Sequence, residues 1–302
     1  MSLLSLFKPK GPSGFGYGST AEEVVAGIDL TDKTVLVTGC NSGIGSITVQ
    51  ALADRGARIL ALARTEEKAR AAVTGIVTPL ACELSQPSSI RSCVDRIKKE
   101  APKIDVLIAN AGIMALPELQ QAFGIELQFF TNHIGHFLLV TGLLDHLSEN
   151  ARVVIVSSTA HRRAPEEGIR FDDLSGEKMY DPWTAYGQSK LANILFTKEL
   201  ARRLAGKAVV NAVHPGVIKT NLARSMNVGV RLAMTLASPL VLKSLTEGAA
   251  TQCWAAAHPD AAELTGEYMA DCMVASPKKI ALDQSLSERL WLESERIVAR
   301  LP

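Results

Sequence analysis

Tyr186 and Lys190 stand four positions apart in the run Trp183-Thr-Ala-Tyr186-Gly-Gln-Ser-Lys190-Leu-Ala-Asn193, a stretch with helical patterning. At that spacing both side chains leave one face of a helix. An ammonium beside a phenol favours the phenolate and draws the tyrosine pKa toward neutrality. A tyrosine tuned in this way can take or give a proton at a reacting oxygen, and the tuning needs about 3–4 kcal/mol from its surroundings. Two exposed helix residues produce the same spacing by chance, so the pair gains meaning only from what accompanies it.

The first companion lies far upstream, in Thr38-Gly39-Cys40-Asn41-Ser42-Gly43-Ile44-Gly45. It follows an apolar run and opens an amphipathic one, so it reads as a strand, a glycine turn and a helix start. Glycines let the backbone turn tightly against a pyrophosphate, whose charge meets free N–H groups and the helix dipole. The spacing is G-x-x-x-G-x-G, distinct from G-x-G-x-x-G, and it lacks the G-K-[ST] ending of a triphosphatase loop. At the end of the next apolar run stands Leu62-Ala63-Arg64-Thr65. No carboxylate is present there for ribose hydroxyls, whereas the Arg64 guanidinium suits a 2′-phosphate. NADP(H) is therefore expected in preference to NAD(H).

The elements that must position these residues follow an alternating pattern. Residues 35–38, 58–61, 106–109 and 153–157 read as buried strands, with weaker candidates at 76–81 and 209–213. Helical stretches are expected at 44–55, 88–100, 120–146, 184–204 and 246–257. Near-continuous apolar strands alternating with helices predict an α/β fold, a doubly wound parallel sheet covered on both faces. Residues 1–28 read as an extended lead-in and 29–302 as a single Rossmann-fold domain.

Composition narrows the function classes. A hydrophobic share of 47% with 21% charged residues suits a soluble chain with a sizeable core. A net charge of +1, without a basic block, argues against nucleic acid as a partner. The apolar run Leu3-Leu4-Ser-Leu6-Phe7 is too short to span a bilayer, and residues 1–10 read as a loose tail. Five cysteines without a C-x-x-C pair suggest reduced thiols and a cytoplasmic setting. His133 and His136 have helical spacing but no H-E-x-x-H context, and no metal is expected.

With these motifs assembled, the chain resembles the classical short-chain dehydrogenase/reductase family over about residues 29–302. The glycine turn matches the family's TGxxxGxG, and Asn110-Ala111-Gly112 matches the NAG signature that braces the central sheet. Asn132, Ser158, Tyr186 and Lys190 match the catalytic tetrad, and Pro215-Gly216-Val217 through Thr220 matches the segment beside the nicotinamide. Asn132-His-Ile-Gly-His-Phe137, Ser189-Lys-Leu-Ala-Asn193 and Gly266-Glu-Tyr-Met-Ala-Asp271 are similar to the retinol-dehydrogenase-like branch. The resemblance implies hydride transfer between a carbonyl and an alcohol, as in a carbonyl reductase. Tyr186 would be the general acid/base, and Ser158 would hold the substrate oxygen, with Ser157 as its rival. Lys190 would tune Tyr186 and bind the nicotinamide ribose, while Asn132 would hold a relay water. It further implies that Gly39, Asn41, Ser42, Gly43, Ile44 and Gly45 cradle the cofactor, with Glu83 and Leu84 at the adenine.

Three departures from the family pattern stand out. Cys40 occupies a loop position where small residues are usual; beside a helix N-terminus it is either a reactive thiolate or a core thiol. Cys82-Glu83-Leu84 replaces a common Asp-Leu pair, and Ser158 and Tyr186 are 28 positions apart, which implies an insertion over residues 159–183. Specificity is expected in residues 113–119, in that insertion, and in 217–245, where the apolar run 228–242 suits a bulky lipophilic substrate. A homodimer through the helices bearing Asn132 and Tyr186 and a monomer both remain open. An epimerase and a non-catalytic NADP(H) sensor are the competing functions.

Overall fold

In β1 (Thr34–Thr38), Val35 and Val37 turn to one face of the sheet while Leu36 turns to the other. In β2 (Arg58–Ala63), Ile59, Ala61 and Ala63 likewise oppose Leu60 and Leu62. Strands apolar on both sides need cover on both faces, and the two-residue period divides the core into two layers. The computed structural model describes residues 8–71, 75, 77–218 and 242–302.

The remaining strands are β3 (Val77–Ala81), β4 (Ile104–Ala109), the pair β5 (Gln121–Ala122) and β6 (Ile125–Glu126), β7 (Leu147–Val156), β8 (Ala208–His214), β9 (Tyr268–Ala270) and β10 (Met273–Val274). Eight of them form one sheet in the order β10-β9-β8-β7-β4-β1-β2-β3, parallel except for β10. From β1 the chain winds outward through β2 and β3, then returns to β4 and winds the opposite way. The reversal lies between β1 and β4, where Val37 pairs with Ile108. In a doubly wound sheet the crevice at the carboxyl ends of such strands is the binding position. Thr38 and Ala109 end those two strands.

One face is covered by α1 (Ala21–Val24), α2 (Gly43–Ala53) and α8 (Leu245–Ala257), which contribute Val24, Val49, Leu52 and Trp254 to the core. The other is covered by α4 (Pro87–Glu100), α6 (Gly135–Gly142) and α7 (Pro182–Arg203), with Ile90, Phe137 and Phe196. A final helix, α9 (Gln284–Ala299), capped by Asp283, lies on α7 and packs Trp291 against the contacting rings of Phe137 and Phe196. The short helices α3 (Glu66–Arg70) and α5 (Leu127–Phe129) complete the set among the described residues.

The structure differs from the expected helix over 120–146. Phe123 and Gly124 both have positive φ, 52° and 74°, and make the hairpin turn between β5 and β6. Glu126 then caps α5 by accepting from Phe129 N–H, and a π-helical turn, Phe130–Ile134, leads into α6. The lead-in is packed as well as extended. Thr20 and Glu23 form a reciprocal cap on α1, and Tyr17 is buried beneath Lys8, whose Nζ is 4.2 Å from the ring centroid. The insertion begins as a 3-10 turn, Thr159–Arg163, and His161 within it is fully buried, accepting from Lys278 N–H.

Candidate active site

The glycine turn is shaped by positive φ at Gly39 and Gly43 and by close contacts at Gly39 and Gly45. Gly39 has φ +68° and hangs from the end of β2, its N–H donating to Leu62 O at 2.8 Å. A Cβ on Gly45 would overlap the Gly39 carbonyl and the Asn110 amide, so the first turn of α2 rides directly on the loop. Gly43 also has positive φ and faces open space. Ser42 is the N-cap of α2 but makes no side-chain cap bond, and Asn41 and Ser42 are exposed. Open N–H groups at a helix start, bordered by glycines, suit an anion. Arg64 is exposed at the end of β2, and no carboxylate engages it among the described residues. Glu83 accepts from Ser85 through its N–H and hydroxyl, and the Leu84 carbonyl packs against Gly135, where a Cβ would overlap it.

The opposite wall is the face of α7. Asp181 caps this helix by accepting from Thr184 N–H at 2.7 Å, and Pro182 occupies its first turn. Tyr186, Ser189, Lys190 and Asn193 then fall on one buried stripe at helical spacing. A Cβ on Gly187 would meet Ala160 O, so this glycine lets the 159–163 turn lie on the helix and brings Ser158 to Tyr186. There the Ser158 hydroxyl favours the ionised form of the Tyr186 phenol. Ser157 points elsewhere, donating to Lys190 O at 2.7 Å. Lys190 Nζ donates to Val156 O at 3.0 Å and lies 5.8 Å from the Tyr186 ring centroid. Asn132, in the π-helical turn, accepts from Ile113 N–H and donates to Ile113 O and Ser189 Oγ. Gly112 sits between Asn132 and Lys190, with no space for a Cβ beside the Asn132 amide oxygen. The geometry thus brings Asn132, Ser158, Tyr186 and Lys190 onto one wall.

The match that decides the family is to the model of the short chain dehydrogenases, over residues 33–171 and 173–230. The chain belongs to the short-chain dehydrogenases. This dehydrogenase is 39% identical over 310 residues to Short-chain dehydrogenase TIC 32 A, chloroplastic, of Brassica napus, covering 97% of each. It is 40% identical over 285 residues to human Retinol dehydrogenase 13, covering 89% of this chain and 85% of that one. It therefore stands in the retinol-dehydrogenase-like branch. A solved protein of Mycobacterium Paratuberculosis superposes with a TM-score of 0.75 at 34% identity, covering 94% of this chain and 98% of that one. A short chain dehydrogenase of Burkholderia cenocepacia in complex with NADP superposes at 0.65 with 25% identity, covering 80% and 96%. Membership makes this chain an oxidoreductase of alcohol and carbonyl groups with a nicotinamide cofactor and a small-molecule substrate.

The dehydrogenase's buried site shifts its titrating groups away from solution values. Burial pushes the Tyr186 phenol up to about 12, and the Ser158 hydroxyl opposes that rise. Burial brings Lys190 down to about 8. His133 and His136 are held neutral by burial, down to about 3 and about 4. No cluster of metal-binding side chains occurs among the described residues. Cys40 is buried in the core, and burial raises its thiol to about 11, which removes the basis for a reactive thiolate. All five cysteines are free and buried.

One group near the dehydrogenase's Pro215-Gly216 segment left no trace in sequence patterning. Lys243 is buried, pairs with Asp271 at 2.7 Å, and lies 4.6 Å from the Tyr17 ring centroid. Its alkyl chain fills the space a Cβ on Gly216 would take, and its N–H donates to Val217 O. The two residues of the pair are 28 positions apart; Asp271 ends the Gly266–Asp271 phrase, but nothing in the sequence links it to Lys243. Val217 is exposed, and Thr220 and the apolar run 228–241 lie outside the described residues. No helix among the described residues is long and apolar enough to cross a membrane.

Proposed function

We propose that this chain is an NADP(H)-dependent reductase of lipophilic aldehydes or ketones, acting reversibly on the corresponding alcohols. The observation that carries the reading is the convergence of Asn132, Tyr186 and Lys190 on one buried wall with Ser158 beside the phenol, while the N-terminus of α2 stays open at the strand reversal. Gly39, Asn41, Ser42, Gly43, Ile44 and Gly45 would hold the pyrophosphate, and Arg64 the 2′-phosphate. Glu83 and Leu84 would meet the adenine; Asn110, Ala111 and Gly112 would border the dinucleotide. Tyr186 and Lys190 would reach the nicotinamide ribose, with Pro215, Gly216, Val217 and Thr220 beside the ring. The nicotinamide supplies or accepts the hydride when bound.

The chain's own groups handle the proton. With its phenol raised to about 12, Tyr186 carries its hydrogen at neutral pH. It is thus set to donate to a substrate oxygen as negative charge develops there, which is the reductive direction. Ser158 would donate to the same oxygen and stabilise that charge. Lys190, lowered to about 8, sits near enough in pKa to neutrality to stabilise the phenolate left behind and then return a proton. Asn132 would order the water that leads this proton to solvent.

The names of relatives in the retinol-dehydrogenase-like branch favour a bulky apolar substrate, as does the apolar stretch 228–242. We place the protein in a reducing compartment, consistent with five unpaired thiols. α9 packs over the helix that carries Tyr186, which favours a single chain over a pair. The test is oxidation of NADPH and NADH against a panel of aldehydes and ketones, retinal and short-chain analogues included. The expected result is turnover with kcat/KM at least tenfold higher for NADPH. A tenfold preference for NADH would overturn the role of Arg64. Cofactor binding without turnover on any carbonyl would favour the sensor instead.

A further inference from the structure

The hydroxyl of Thr38, at the carboxyl end of β1, has more partners than a hydroxyl of the core usually finds. Its Oγ1 accepts from the N–H groups of Asn110 and Ala111, each at 2.9 Å, and lies 2.9 Å from His136 Nε2. A hydroxyl has two lone pairs and one hydrogen. Both lone pairs are taken by backbone donors, so the hydrogen goes to the imidazole. His136 Nε2 is then an acceptor, and the ring carries its own hydrogen on Nδ1. That nitrogen lies 3.0 Å from the Asn132 carbonyl, which can only accept. Two independent contacts demand the same tautomer.

The bonds continue in one direction. Asn132 Nδ2 donates to Ser189 Oγ at 3.0 Å, and Ser189 Oγ donates to Tyr186 O at 2.8 Å. The path runs from the strand that opens the glycine turn to the backbone of the tyrosine that faces it. His136 is its middle member, fully enclosed at 1% exposure, and burial holds it neutral. A histidine that merely filled core space would not need both nitrogens matched to partners of fixed polarity. Imidazolium would place hydrogen against hydrogen at Thr38.

We propose that His136, as the neutral imidazole with hydrogen on Nδ1, is a positioning residue that locks the cofactor turn to the helix carrying Asn132. The inference rests on the reading of residues 39–45 as the dinucleotide turn and of Asn132 as part of the proton machinery. It acts through Thr38 on the cofactor side and through the Asn132 carbonyl on the proton side, so the two sides can be cut separately. In His136→Asn the amide nitrogen stands in for Nδ1 and keeps the donor to Asn132 while losing Thr38. In His136→Gln the amide oxygen stands in for Nε2 and keeps the acceptor for Thr38 while losing Asn132.

The experiment measures NADPH Kd by fluorescence titration and kcat at saturating NADPH for both variants and the wild type. The larger loss is expected in Kd for His136→Asn, at least about tenfold, and in kcat for His136→Gln, also at least about tenfold. Equal losses in both constants, following thermal stability alone, would reduce His136 to a packing residue and overturn the proposal. Should either variant fail to fold, 15N NMR of the wild-type imidazoles decides. A pyrrole-type Nδ1 and pyridine-type Nε2 at His136 support the lock, and the reverse assignment sinks it. Failure of the underlying reading appears elsewhere, as absence of NADPH binding or of turnover in the wild type itself.

Discussion

The two walls of the site are made by opposite means. The wall proposed for the cofactor is local: residues 39–45 form a strand-to-helix turn that needs glycine at Gly39, Gly43 and Gly45. The wall proposed for proton transfer is assembled from distance, with Asn132, Ser158 and Tyr186 arriving from a π-helical turn, the end of β7 and α7. The first works by exposing backbone donors and carries little charge. The second buries a phenol and an ammonium, and burial moves both pKa values strongly. The glycine turn takes its backbone shape from a short run of sequence, though Leu62 and Asn110 lie against it. The proton wall depends on every segment that packs against it.

On that contrast, damage to the two walls separates in cofactor affinity and turnover, while damage to the buried Lys243–Asp271 pair beside Gly216 costs stability. The Lys243–Asp271 pair should give the largest effect. Asp271→Ala leaves the buried Lys243 ammonium unpaired and should lower unfolding free energy by about 3 kcal/mol. Urea denaturation measures this, and Lys243→Met combined with Asp271→Ala should recover most of the loss. A loss under about 1 kcal/mol in the single variant would show the pair to be solvated.

Gly45→Ala comes next. Its methyl group would overlap the Gly39 carbonyl and displace the turn. NADPH Kd should rise about 100-fold, equivalent to about 2.7 kcal/mol, with kcat at saturating cofactor much less affected. A comparable fall in kcat would mean that the walls are not separable.

The smallest effect concerns Lys190, and its sign is opposite. Its folded pKa, about 8, lies below the ordinary 10.5, so the unfolded chain binds more protons between those values. Stability contributed by this group therefore rises as pH climbs through that window, and below pH 8 the buried ammonium is a net cost. Lys190→Met should be more stable at pH 7 by about 1–2 kcal/mol, after the lost bond to Val156 O is set against the relieved burial. The gain should vanish above pH 10.5, and turnover should fall at every pH. Equal stability of the two proteins at pH 7 would mean that water reaches the ammonium.

What could be read from sequence follows the same division. Gly39, Gly43 and Gly45 declared themselves because a strand precedes them and a helix follows, all within a few residues. The sheet was legible because its strands are apolar on both sides, as Val35, Leu36 and Val37 illustrate. Residues 120–146 read as one helix because Phe123-Gly124 makes its turn through two positive φ angles, and phenylalanine is not a residue that advertises one. Tyr268–Ala270 and Met273–Val274 are too short for periodicity to register. Lys243, Asp271 and Tyr17 meet only in the folded chain, and no spacing announces them. Sequence spacing placed Lys190 beside Tyr186 and implied a lowered phenol pKa. In the structure burial outweighs that proximity, and the phenol stands high, at about 12.

The account turns on Tyr186 as the proton donor, and Tyr186→Phe tests it with the fold and the cofactor turn intact. Measured together, NADPH Kd and single-turnover hydride transfer to an accepted aldehyde should part company. Kd should stay within about threefold of wild type while the rate falls at least about 100-fold. A near-normal rate in that variant would contradict it.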